Sequence, residues 1–162
     1  MNTRFAALCL TLVCALLAGC TTPKILPQNA GSIETKQAIA TAIQAPKIEA
    51  DGHIVTPWIR DTMISSFYER AAQLGLRISP QGIPVTIRIN TVRSRSDEMR
   101  IVFLPGDGPD LLYADILVGD ASFGVGGFTI ICPFASVATL ARRVGLQTAN
   151  GLAMVADLPI RD

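Results

Sequence analysis

Thr56-Pro57-Trp58-Ile59-Arg60-Asp61-Thr62-Met63-Ile64-Ser65-Ser66-Phe67-Tyr68-Glu69-Arg70-Ala71-Ala72-Gln73-Leu74-Gly75 spells a helix with both of its ends. Threonine is a favoured N-cap, and proline is tolerated at the first helical position, where its missing N–H has no partner to lose. Ile59, Met63, Phe67, Ala71 and Leu74 recur at three- and four-residue spacing and make one apolar stripe. Gly75 supplies the stop. Shortly after it, Val85-Thr86-Ile87-Arg88-Ile89-Asn90 changes the period from 3.6 to 2. A one-faced helix followed by a one-faced strand predicts a helix lying on a sheet.

The rest of the chain extends this pair. Upstream, Ser32 is placed to cap a helix reaching about Ala45, with Ile39 and Ile43 on one face and Pro46 ending it. Lys47–Ala50 then reads as a strand running into the Asp51-Gly52 turn, followed by His53-Ile54-Val55. Leu76–Ser79 suggests a short strand before the Pro80-Gln81-Gly82 turn. Downstream, strands are expected at 100–104 and 111–118, with polar and Gly/Pro-rich connections at 94–98 and 105–109. Residues 121–156 carry only Arg142 and Arg143 as charges. Their glycines at 124, 126 and 127 predict a turn, followed by a strand at 128–132 and a helix at 133–156. Val137, Leu140, Val144, Thr148, Leu152 and Val155 trace one stripe of that helix. Ala141, Gly145, Ala149 and Ala153 form a ridge of small residues that invites close approach by another backbone. The order predicts an α+β fold: a small two-layer sandwich, its mostly antiparallel sheet packed by two main helices.

Composition sets the limits. A chain of 162 residues accommodates one domain. The apolar fraction of 49% and charged fraction of 17% exclude a wholly disordered chain. A net charge of +1 implies no surface for capturing a polyanion, so no nucleic-acid partner is expected. No internal repeat is evident.

The N-terminus carries the most specific signal. Arg4 precedes an apolar stretch from Phe5 to Leu16, and Leu17-Ala18-Gly19-Cys20 comes next. The stretch is too short to span a bilayer comfortably and has the make-up of a secretory signal. Leu17, Ala18, Gly19 and Cys20 resemble the lipobox of bacterial lipoproteins. The resemblance implies that a signal peptidase recognises Leu17, Ala18 and Gly19, that a diacylglyceryl group is attached to the Cys20 sulfur, and that the chain is cut before Cys20 and acylated (palmitate) there. It also implies membrane anchorage. In lipoproteins of the enteric type an Asp after the cysteine retains the protein in the inner membrane. Thr21 therefore implies the cell outer membrane, with the domain facing the periplasm. The expected organisation is a signal peptide at 1–19, a lipidated tether at 20–31 and a single periplasmic domain at 32–162.

Processing changes the chemistry available. Of four cysteines, Cys9 and Cys14 leave with the signal and Cys20 takes the lipid, so Cys132 is left without an intramolecular disulfide partner. Loss of Arg4 balances the charges. His53, the only histidine, could reach a nucleophile only among Ser65 and Ser66, with Asp51 or Asp61 behind it, and no spacing recommends that set. Asp107, Asp110, Asp115 and Asp120 lack the alternating ligands of a calcium loop, and the glycines match no phosphate-binding fingerprint. No catalytic residue, metal or cofactor is expected, apart from the covalent lipid.

Arg88, Arg93, Arg95 and Arg100 gather around one expected hairpin, as a candidate docking patch for an acidic partner or lipid headgroups. Without interleaved aromatics they do not resemble a single-strand nucleic-acid surface. The order of elements is loosely similar to small domains of envelope lipoproteins that assist secretion, conjugation or transport machines. The anchor and the lack of a catalytic set together point to a non-enzymatic binding or assembly module of an envelope protein complex. The alternative is a membrane-active or self-assembling lipoprotein using 121–156. The oligomeric state is left open.

Overall fold

The computed structural model describes residues 25–94, 109–129 and 137–160. The expected signal peptide, Cys20 with the residues up to Lys24, the strand at 100–104, Arg95, Arg100, Asp107 and Cys132 lie outside the described residues.

The elements run β1 (Leu26–Asn29), α1 (Ile33–Thr41), β2 (Lys47–Glu49), α2 (Pro57–Gln73), β3 (Val85–Arg93), β4 (Leu111–Val118), β5 (Ala121–Phe128) and α3 (Val137–Val155). The strands form a five-stranded sheet in the order β1-β5-β4-β3-β2. Neighbours are antiparallel except β2 and β3, which are parallel and joined by a crossover through α2. The fold is thus α+β, with a mixed, mostly antiparallel sheet packed against helices.

Helix α2 forms as its sequence dictates. The Thr56 hydroxyl accepts from the Ile59 amide, Pro57 opens the helix, and Ile59, Met63, Phe67 and Ala71 are buried. Gly75, at φ +72°, lets the Leu76 amide return to the Ala71 carbonyl and close the C-terminus. Helix α1 is capped by Ser32 as expected but ends at Thr41. Ile43 explains the early stop. Its N–H donates to the Arg77 carbonyl and its C=O accepts from the Ser79 amide, which requires extended backbone. These contacts reduce the expected strand at 76–79 to a single bridge at Ile78.

The core lies between the helices and one face of the sheet. Val85, Ile87 and Ile89 of β3 point inward with Leu112, Ala114, Ile116 and Val118 of β4 and Phe123 and Val125 of β5. The opposite face carries Arg88, Tyr113, Asp115 and Phe128.

Gly124, Gly126 and Gly127 do not make a turn; they lie within β5, paired along its length with β4. At one of the three a side chain cannot be accommodated. A Cβ on Gly126, at φ +139°, would meet the Leu112 carbonyl oxygen at 2.3 Å, and the Tyr113 ring crosses the same spot. Of the strand expected at 128–132, Phe128 ends β5 and Thr129 lies outside it, and residues 130–132 lie outside the described residues. Residues 26–29, read as tether from their proline and polar residues, pair with β5 as an edge strand. Proline is tolerated there because the outer edge needs no donor.

Candidate docking surfaces

Helix α3 determines which apolar surface is left over. Its small-residue ridge, Ala141, Gly145, Ala149 and Ala153, is buried along its whole length. At Gly145 an added Cβ would stand 2.2 Å from the Met63 carbonyl oxygen, so α3 touches the backbone of α2 in the same chain. Further along the helix, a Cβ on Gly151 would stand 2.1 Å from the Phe123 ring of β5. The helix is wedged between α2 and the sheet, and none of the ridge remains on the surface. No helix among the described residues is long and apolar enough to cross a membrane.

Of the four candidate arginines, Arg88 and Arg93 lie among the described residues, both on β3. Arg88 stands on the open sheet face, its Nη2 3.9 Å from Glu49 Oε2 and its Nε 3.6 Å from Asp51 Oδ2. Lys47 Nζ adds a 3.0 Å contact to Glu49, and this hydrogen bond and charge hold the Glu49 carboxyl below the usual range. Arg88 thus faces two carboxylates at the long end of ion-pair distance, with its side chain 44% exposed. Arg93 is exposed at the end of β3.

Beside Arg88 a polar ladder crosses the sheet. Gln28 Nε2 donates to Asp115 Oδ1 at 2.9 Å and Asn90 Nδ2 donates to Asp115 Oδ2 at 2.8 Å. Gln28 on β1 reaches Asp115 on β4 because Gly124 of the intervening β5 has no side chain to block it.

The residues weighed for a catalytic centre have other tasks. His53 Nε2 lies 2.7 Å from the Asn90 carbonyl oxygen. Ser65 and Ser66 both donate to the Thr62 carbonyl of their own helix. Asp110 is buried, and its carbonyl accepts from the Thr129 amide. Asp120 accepts from the Thr35 hydroxyl and from the Ser32 amide, which together hold its carboxyl below the ordinary value. It ties the β4–β5 turn to the start of α1. No group of three or more His, Cys, Asp or Glu among the described residues could hold a metal.

Two shallow grooves were not legible in the sequence. One, of about 220 Å³, is bounded by Ile25, Pro27, Phe123, Gly151, Met154 and Val155. The second lies between Ile33, Ala40 and Ala156. Lys36 and Asp157, paired at 3.1 Å, line both, so the grooves adjoin along that ion pair. Ile33, 70% exposed, and Met154, 51% exposed, rim them. At the other edge of the sheet Ile54 is 90% and Trp58, the only tryptophan, 54% exposed. Inside, Gln147 Oε1 accepts from the Gly126 amide at 2.9 Å, while Gln147 Nε2 and Arg143 Nη1 are buried with no hydrogen-bond partner among the described residues.

No protein-family model matches the chain, and no curated protein matches it. Solved structures of similar fold do exist. Two crystal forms of the PelC dodecamer from Paraburkholderia phytofirmans, one of them a single-residue variant, each superpose with a TM-score of 0.50. The sequences are 11% and 10% identical, and the match covers 81% of this chain and 97% of the other. At that identity the likeness is one of fold: this chain has the architecture of a protein solved as a twelve-membered assembly.

Proposed function

We propose that this chain is a lipid-anchored, non-enzymatic assembly module of a bacterial envelope complex, working as a multimer of its own copies at the periplasmic face of the outer membrane. The observation that carries the reading is the fold shared with PelC over nearly the whole length of a subunit solved as a dodecamer. The lipobox-like Leu17-Ala18-Gly19-Cys20 supports the anchor, since acylation of Cys20 would make attachment effectively permanent. The described polar groups support a structural role: they cap, pair and brace, and none is assembled around a reacting atom.

The test is to express the full chain in a bacterium with labelled palmitate, fractionate the envelope, and weigh the detergent-extracted protein by native mass spectrometry. Label incorporation that Cys20→Ala abolishes, together with a discrete multimer, is the expected result. An unlabelled protein would remove the anchor, and a strict monomer at working concentration would remove the assembly.

A further inference from the structure

We infer that the paired grooves rimmed by Ile33 and Met154 are the face this domain lays against the bilayer. The inference rests on the lipid anchor proposed above and adds an orientation to it.

Reach is the first constraint. Only Thr21, Thr22, Pro23 and Lys24 separate Cys20 from Ile25, which itself lines the groove under Met154. Even fully extended, this stretch spans only roughly 17 Å. Strand β1 holds Ile25 in place by pairing with β5, so the edge of the sheet nearest the anchor cannot swing far from the headgroups.

The surface beside that edge suits the position. Ile33 and Met154 project from different helices, α1 and α3, around grooves whose walls are mostly apolar. The one charge pair between the grooves, Lys36 with Asp157, is mutually neutralised at 3.1 Å, so little net charge opposes approach to lipid. Side chains of this kind bury about 5–10 Å into the headgroup boundary when they are held there. The other exposed apolar tip, Ile54 with Trp58, adjoins β2, four strand spacings from β1, or roughly 19 Å across the sheet. It is beyond easy reach of the same bilayer surface.

The experiment uses the full lipidated chain, reconstituted in vesicles of phosphatidylethanolamine and phosphatidylglycerol at 7:3, in a Cys132→Ser background. A bimane probe is placed through Ile33→Cys, Met154→Cys or, as control, Ile54→Cys. Quenching by shallow spin-labelled lipid and by aqueous iodide is then read for each. The expected result is lipid quenching at least threefold stronger at positions 33 and 154 than at 54, with the opposite order for iodide. Stronger lipid quenching at 54, or equal quenching at all three, overturns the orientation. Protection of 33 and 154 from both quenchers also overturns it, because it assigns the face to a contact between copies. Palmitate on Cys20 is measured in the same preparation. Its absence means that the anchor has failed and the orientation with it, whereas its presence with unquenched probes means that the orientation alone is wrong.

Discussion

Gly145 and Asp120 each decide more than their size suggests. Replacing Gly145 with alanine gains about 1 kcal/mol of intrinsic helix propensity. The new methyl, however, would stand 2.2 Å from the Met63 carbonyl oxygen, a backbone atom that cannot rotate away. Overpacking of this kind costs about 1–3 kcal/mol, and more where backbone must move, so Gly145→Ala is expected to lower stability by about 1–2 kcal/mol. A urea titration checks it: the midpoint should fall with the slope unchanged, and a midpoint that rises would show that the helices can separate at no cost. For Asp120 the sign follows from its depressed pKa, caused first by the Thr35 hydroxyl and then by the Ser32 amide. The stabilisation is present in full above the unfolded carboxyl's pKa, about 4, and is lost as pH falls through the folded value. Asp120→Asn should therefore be less stable than the native chain at neutral pH, and the gap should close below about pH 4. Melting curves across that range would show a constant gap if the contacts contribute nothing.

At the scale of elements, what was legible was local. Thr56-Pro57 and Gly75 delimit α2 because capping depends on neighbours a turn away, and the alternation at Val85, Ile87 and Ile89 predicts the inward face of β3. What was not legible depended on residues far along the chain. The glycines of β5 look like a turn until Tyr113 and the Leu112 carbonyl are seen to occupy the space above Gly126. Pro27 looks like a linker until its strand is seen at an edge. Arg88 looks available for a partner until Glu49 and Asp51 arrive from β2 and the turn after it. The apolar grooves are assembled from β1, α1, β5 and α3 and have no contiguous signature at all. Strand β1 also shields β5, whose sequence Ala121–Phe128 carries no charge. An uncharged strand exposed at an edge is a template for further pairing. A chain beginning at residue 30 is thus expected to form open-ended aggregates that grow with concentration, while one beginning at residue 25 keeps a discrete size. Light scattering during size exclusion distinguishes them, and identical profiles would deny β1 its protective role.

For the whole molecule, β1 has a consequence in time. It is the first described strand to be made, yet its partner β5 is the last, and Leu26 and Gly124 lie 98 positions apart in a chain of 162. Closing so large a loop is entropically slow, and contacts of high sequence separation form late. Strands β3 to β5 and helices α2 and α3 can condense earlier. Pulsed hydrogen exchange during refolding is expected to show the β1 amides gaining protection after those of β3 and β4, and simultaneous protection would refute that order. If the N-terminus is processed as proposed above, an enzyme acting near residue 20 would meet β1 unpaired until residue 128 has been made. The same hydrogen bonds that finish the sheet would then draw the domain down onto that proposed anchor, so that processing of the N-terminus would precede completion of the fold by topology alone.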